Sequence, residues 1–209
     1  GFWYRAVLDG KELELLDLCD ENGVYAGHVK ERTMVHRDGD RHRTVHIWVV
    51  RKKADGRIDV LLQKRSRNKD SYPGCYDISS AGHIPAGEEY ETAALRELRE
   101  ELGIEAGKED LRFIGIHEGY IEDVFWGREF KDYEISAVYL YEKPVEISGL
   151  ILQESEVEEA VFMDYEKAFE QMQDGSLPNC IYPEEFLLIK KALEPGFISD
   201  GVRVVDKMS

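Results

Sequence analysis

Residues Gly82–Ile104 read GHIPAGEEYETAALRELREELGI, and the rest of the chain is best read outward from them. The constrained positions form the pattern G-x5-E-x7-R-E-U-x-E-E-x-G-U, where U is a bulky aliphatic residue. At about 100° per residue, Leu95, Leu98 and Leu102 fall on one narrow helical stripe. Glu97, Glu100 and Glu101 fall on another, roughly 140° away, so the predicted helix over Glu89–Leu102 can bury its leucines while its glutamates face out of the core. Glu97 precedes the other two by three and four positions, where like charges repel by a few tenths of a kcal/mol per pair. Glu88 and Glu89 suit the positive end of the helix dipole, but the later trio lies near the negative end. Gly103 stands where a helix ends in a left-handed residue, and Gly82, Pro85 and Gly87 make the approach an irregular loop.

A hard cation, Mg²⁺ or Mn²⁺, explains the cluster, because it takes oxygen ligands and shares its remaining positions with water and substrate phosphate. Arg96 can hold Glu97 through a charge-assisted hydrogen bond. A solvated acidic face would account for E-x-x-E-E alone. It does not account for the glycines, Glu88 and the Arg96–Glu97 pair arriving together. The segment resembles the Nudix box and matches every constrained position of it. The resemblance implies a divalent-metal pyrophosphohydrolase that cleaves a diphosphate linked to another moiety. It implies Glu97, Glu100 and Glu101 as metal ligands, Arg96 as the residue orienting Glu97, and structural or second-metal roles for Glu88 and Gly82.

The chain has 209 residues, of which 43% are hydrophobic, enough for one packed domain, or one domain with an added terminal element. Its net charge of −16 argues against general nucleic-acid binding and against an anionic membrane surface. A phosphorylated small-molecule substrate must then rely on local Lys/Arg and metal. Cys19, Cys75 and Cys180 are far apart and form no C-x-x-C pair, which suggests free thiols in a reducing cytoplasm. No apolar run reaches the length of a membrane span.

Glu12–Cys19 and Tyr25–Val29 read as a hairpin across Asp20–Gly23 (DENG). Strands are expected at His42–Lys53, Ile58–Gln63, Tyr76–Ser80, Leu111–Tyr120, Tyr133–Tyr141 and Val157–Met163. Helices are expected at Tyr165–Met172 and Glu184–Leu193, the last ended by Pro195–Gly196. Arg65–Gly74 reads as a basic loop and Ile121–Asp132 as an aromatic connection. The mixed order suggests a sheet covered on both faces by helices. The Nudix resemblance makes this an α/β/α sandwich with a mixed sheet. Residues 1–35 then form an extension carrying the hairpin, packed on the main domain. Residues 36–195 form the Nudix domain, and 196–209 a tail. The hairpin could serve a homodimer.

Further residues resemble the isopentenyl diphosphate isomerase-like branch of the superfamily. His36 and His42 match its histidine pair, Trp48 its tryptophan, Gly82–His83 its Gly-His, and Asp132 and Glu134 its acidic pair. In the isomerases that set binds a second metal, so the resemblance adds His42 and His83 to the candidate ligands. Arg65 and Lys69 stand where that branch grips a diphosphate, and their chemistry suits phosphate. The departures point away from isomerisation. Ala81 replaces the cysteine that acts as acid/base, and a methyl group transfers no proton. Cys75 lies six residues earlier. Asn179 stands nearest the tryptophan that stabilises a carbocation, and the isomerases typically lack the full REUxEE run.

The sequence reading is therefore hydrolysis of a diphosphate bond, in a nucleoside diphosphate derivative, by metal-activated water. The proton acceptor is a carboxylate, with Glu97, Glu134 and Glu154 as candidates. Isomerisation of a prenyl diphosphate and a non-catalytic binding module are the alternatives. Phe125, Trp126 and Phe130 are available to stack on a base, or equally for ordinary packing.

Overall fold

Successive residues of a strand point to opposite faces, and along Arg41–Lys52 both faces are buried. The computed structural model describes residues 5–8 and 11–208. In chain order the strands are β1 (Arg5–Leu8), β2 (Lys11–Cys19), β3 (Tyr25–Glu31), β4 (Arg41–Lys52), β5 (Ile58–Arg65), β6 (Tyr76–Asp77), β7 (Ser80–His83), β8 (Leu111–Phe125), β9 (Arg128–Tyr141), β10 (Val157–Asp164) and β11 (Arg203–Met208). The helices are α1 (Arg32–Asp38), α2 (Tyr90–Leu102), α3 (Tyr165–Asp174) and α4 (Pro183–Ala192).

The main path of the sheet runs β1-β2-β4-β9-β8-β11. β4 pairs parallel with β9, β9 antiparallel with β8, and β8 parallel with β11, so the sheet is mixed. β5 and β7 also pair with β4, and β10 pairs with β5. Val45, Ile47 and Val49 of β4 and Ala137, Tyr139 and Tyr141 of β9 pack with Ala93, Ala94, Leu98 and Leu102 of α2. The alternate residues Trp48, Val50, Val138 and Leu140 pack with Tyr165 and Ala168 of α3 and Phe186, Leu188 and Ile189 of α4. Two cores, one on each face, make the α/β/α sandwich that the sequence predicts.

Four expectations change. The Ile121–Asp132 connection is the end of a hairpin: β8 runs to Phe125 and β9 starts at Arg128. Its turn residues Trp126 (φ 54°) and Gly127 (φ 75°) both adopt positive φ, as two-residue hairpin turns demand. Only the glycine advertises this. The predicted strand Tyr76–Ser80 is instead two short strands, β6 and β7, with β7 reaching His83. Residues 196–209 read as a tail, yet Arg203–Met208 extend the sheet beside β8. The short helix α1 was not foreseen: the Glu31 carboxylate accepts from Thr33 N and Met34 N, and Gly39 closes it at φ 73°. A division at residue 36 falls inside it.

The predicted hairpin β2–β3 forms. It meets the rest of the sheet through Leu18 and His42, and Asp17 accepts from Gly87 N (2.9 Å) and Arg43 (2.9 Å). The hairpin therefore holds the loop that feeds α2. Among the described residues no helix is long and apolar enough to cross a membrane.

Candidate active site

α2 ends at Gly103 with φ 71°, as its sequence predicts. Its buried stripe is Ala93, Ala94, Leu98 and Leu102, while Leu95 is only half-buried. The glutamates depart from the expected outward face. Glu100 is exposed, but Glu101 is buried, accepting from Ser80 Oγ (2.7 Å) and Ala81 N (3.0 Å) of β7. Arg96 acts as the sequence suggests and more widely: Nη1 donates to Glu97 Oε1 (2.8 Å) and Glu100 Oε2 (3.0 Å), and Nε to Glu88 Oε1 (3.4 Å). One guanidinium thus serves three carboxylates. A Cβ at Gly82 would overlap the Glu97 carboxyl, which explains the glycine. Gly82→Ala is expected to lower catalytic turnover by about tenfold or more by displacing Glu97, with the fold retained. Steady-state rates beside circular dichroism check this.

Across the cavity lie the histidines. α1 supplies His36, β4 His42, β7 His83 and β9 Asp132. His36 Nε2 lies 3.1 Å from His83 Nε2 and 3.4 Å from Asp132 Oδ1, and His42 Nε2 lies 3.3 Å from the same oxygen. The Asp40 carbonyl (2.9 Å) can only accept, so His42 Nδ1 carries a proton there and the Nε2 end faces the group. One ring nitrogen on a backbone carbonyl with the other turned to a carboxylate and two imidazoles is a metal-ligand arrangement. The structure gathers four of the five residues that the resemblance named for this metal, and Glu134 stands outside the group.

Glu97, Glu100, Glu101, His36, His83, Asp132 and Glu134 line one cavity of about 390 Å³. Burial pushes Glu97 well above the usual carboxylate range, helped by the charge of Glu101. Burial lifts Glu101 to about 7 against its hydrogen bonds from Ser80 and Ala81. Burial also raises Glu88, whose Oε2 has no hydrogen-bond partner. His42 Nε2 and Asp132 Oδ1 are likewise buried without one. Burial opposes a charge on His42, yet Asp132 raises it; burial and the charge of Arg32 hold His83 well below its ordinary value. Carboxylates forced upward and orphaned polar atoms fit divalent ions, which would satisfy both groups.

Burial also raises Glu134 to about 7, with Asp132 adding to the rise and His46 opposing it. Glu154, the other late candidate, is exposed; Glu156 lines the cavity instead. Arg65 and Lys69 reach the cavity already engaged. Arg65 binds Asp77 (3.0 Å) and the Ser71 carbonyl, and Lys69 pairs with Glu156. A phosphate there would compete with carboxylates. Of the three aromatics, Phe130 lines the cavity and packs on His36 (4.7 Å between centroids) and Phe125 (5.5 Å). Trp126 is exposed at the hairpin tip and donates to the Lys69 carbonyl (3.0 Å).

Sequence reading missed several lining residues: Tyr72, Cys180 and Tyr182 among them. Ala81 does line the cavity, as its position requires. Cys75 does not, whereas Cys180 does, and burial beside Asp77 pushes its thiol well above the ordinary value.

The NUDIX domain family model matches residues 40–182. Nudix hydrolase 3 of Arabidopsis thaliana is 38% identical over 157 residues, which are 74% of this chain and 20% of that protein. The chain thus spans about a fifth of the length of that relative. An uncharacterized Nudix hydrolase of Clostridium acetobutylicum is 40% identical over 146 residues, 70% of this chain and 68% of that one. More distantly, isopentenyl-diphosphate Delta-isomerase 1 of Aromatoleum aromaticum is 33% identical over 124 residues, 55% of this chain and 67% of that one. In fold, the crystal structure of DR0079 from Deinococcus radiodurans superposes with a TM-score of 0.61 at 19% identity, covering 87% of this chain and all (100%) of that one. With the complete carboxylate helix, its glycines and its sandwich in place, the chain belongs to the Nudix hydrolase family.

Proposed function

We propose that this chain hydrolyses a diphosphate bond in a small phosphorylated substrate, a nucleoside diphosphate derivative, with a divalent cation, Mg²⁺ or Mn²⁺. The observation that carries the reading is the meeting of two ligand groups at one cavity: Glu97, Glu100 and Glu101 from α2, and the His36, His42, His83 and Asp132 set opposite. These residues would hold the metal, with Glu88 fixed behind them by Arg96. When bound, the cation lowers the pKa of a water and neutralises charge on the phosphate oxygens.

Glu134 is the proton acceptor. It lines the cavity beside Asp132, and with burial raising it to about 7 the group is partly ionised near neutral pH and basic enough to take a proton. The water oxygen bonds to one phosphorus as its proton passes to Glu134 Oε. The bond from that phosphorus to the bridging oxygen breaks, and its electron pair leaves on the departing phosphate. Arg65 and Lys69 bind the two phosphates by exchanging Asp77 and Glu156 for them. Arg96 keeps Glu97 in place throughout. Phe130 offers a face to the leaving group.

The isomerase alternative needs a proton-transferring group at Ala81, and a methyl group cannot serve. A panel decides: phosphate-monoester release from nucleoside diphosphate derivatives with Mg²⁺ and Mn²⁺, allylic isomer formation, and tight binding without turnover. The expected result is monoester release that a chelator stops. Isomer formation alone, or binding alone, would overturn the hydrolase reading.

A further inference from the structure

The sheet face under α4 carries a row of ionisable side chains that the reaction above leaves unused. His46 comes from β4, His117 from β8 and Asp206 from β11, and Glu185 reaches down from α4. Strand order puts the three on one diagonal of the sheet: β4 and β8 flank β9, and β11 lies beside β8. In register, His46 pairs with Val138, His117 with Ser136 and Asp206 with Gly119. None of the four is more than 7% exposed. Burying such groups costs several kcal/mol each unless their charges and hydrogen bonds are met.

Most are met in series, although His117 Nδ1 has charge contact without a hydrogen bond. His46 Nδ1 donates to Glu185 Oε1 at 2.7 Å. Glu185 Oε2 accepts from Trp48 Nε1 at 2.7 Å. His117 Nδ1 lies 3.3 Å from Glu185 Oε1, and its Nε2 donates to Asp206 Oδ2 at 2.7 Å. Asp206 also accepts from the backbone N–H groups of Glu184 (3.1 Å) and Glu185 (3.3 Å), which pins it to the first turn of α4. At the other end, His46 Nε2 faces Glu134 Oε1 at 3.4 Å, beside Ser136 Oγ at 3.3 Å. Thr44 Oγ1 donates to the same Glu134 oxygen at 3.3 Å.

His46, His117 and Glu185 are also a zinc-like donor set. The 2.7 Å between His46 Nδ1 and Glu185 Oε1 is the length of a charge-assisted hydrogen bond. Two ligands on one tetrahedral zinc stand about 3.3 Å apart, and the second Glu185 oxygen is taken by Trp48. The His46–Glu185 separation suits a shared proton rather than an ion.

We propose that His46, Glu185, His117 and Asp206 form a positioning relay that fixes the Glu134 carboxylate in the cavity. The relay makes α4 and β11 part of the machinery although neither Glu185 nor Asp206 lines the cavity. A glutamate carried on rotatable bonds needs such a brace, because its reach to the water must be held closely. Glu185 sets the ring plane of His46, and His46 with Thr44 sets Glu134. This inference rests on the reading of Glu134 as the base.

The test is a double-mutant cycle on the full chain. Glu185→Gln keeps shape and removes the charge that orients His46. Turnover is expected to fall about ten- to hundredfold with KM within about twofold, because binding groups are untouched. In a Glu134→Gln background the same change is expected to add nothing, since both act through one carboxylate. Asp206→Asn, one link further, is the second variant should Glu185→Gln not fold, and is expected to lose about three- to tenfold. A folded Glu185→Gln protein with wild-type turnover, beside an inactive Glu134→Gln, overturns the relay and leaves the hydrolase reading standing. Losses that multiply in the double variant also overturn it, because they mean Glu185 acts only on the fold. Full activity in Glu134→Gln removes the base assignment and the relay together. A readout free of turnover is the ¹³C carboxyl signal of Glu134 in labelled protein. In Glu185→Gln it is expected to broaden or split, and a single unshifted signal overturns the proposal even if no substrate is ever found.

Discussion

Glu101→Gln and Glu97→Gln are each expected to lower metal-dependent diphosphate hydrolysis by about a thousandfold or more, the scale of several kcal/mol of lost charge stabilisation. The fold should survive both changes. An amide at position 101 can still accept from Ser80 Oγ or Ala81 N through its carbonyl oxygen, the two contacts that hold Glu101 now. An amide at position 97 can still face Arg96, which keeps Glu88 and Glu100 as partners. What each change removes is a negative charge that burial already disfavours. Phosphate release at saturating Mg²⁺, measured beside a thermal melt of each variant, checks this. Full turnover by either protein would show that the helix does not carry the reaction.

The second large effect is on stability, and it emerges with metal removed. Burial raises the folded-state value of Glu101 from 4.5 to about 7, and raises Glu97 and Glu88 as well. An acid whose folded value is raised stabilises the fold below its unfolded value, and that contribution is lost as pH rises through the folded value. Asp132 has the opposite sign, because the His36 and His42 contacts overcome burial and hold it low. Its loss falls at acid pH, outside the window; His83, held low, opposes the trend up to its ordinary value of 6.5, and Glu134, raised to about 7, reinforces the trend. Between pH 5 and pH 8 the chelated protein is therefore expected to lose stability, on the order of 3 kcal/mol from Glu101 alone. Saturating Mn²⁺ should flatten the profile, because a bound ion favours the ionised carboxylates. Denaturant melts at both pH values, with chelator and with Mn²⁺, read this directly. A chelated protein equally stable at both would contradict the account, and Glu101→Gln should itself reduce the slope.

What the sequence revealed, and what it hid, follows from the range of the interactions. α2 was legible because its caps, its period and its Arg96 contacts are all local. The burial of Glu101 was not, since it depends on Ser80 and Ala81 of a strand that docks over the helix. Geometry of one helix put Leu95 in the core stripe beside Leu98 and Leu102, but the sheet takes Ala93 and Ala94 in its place. His36, His42, His83 and Asp132 were found only through the family resemblance, because no spacing rule links residues on α1, β4, β7 and β9. His46, His117, Glu185 and Asp206 carried no signal at all. They lie in four separate elements, and only the strand order and the docking of α4 bring them together. β11 was passed over because six residues after a Pro-Gly stop resemble a tail until β8 is there to pair with them.

The hairpin turn at Trp126 has a practical consequence. Its indole is 69% exposed, while Trp48 is fully enclosed at 0%. Among the described residues its polar tie is to the Lys69 carbonyl, on the loop whose side chain, in the proposed mechanism, exchanges Glu156 for a phosphate. Ligand seating at the loop would tug on that tie and alter the ring's exposure to solvent. With Trp3 replaced by Phe, the chain would carry an optical gauge of its own: tryptophan fluorescence, red-shifted from the tip and blue-shifted from the core, would follow ligand seating without any added dye.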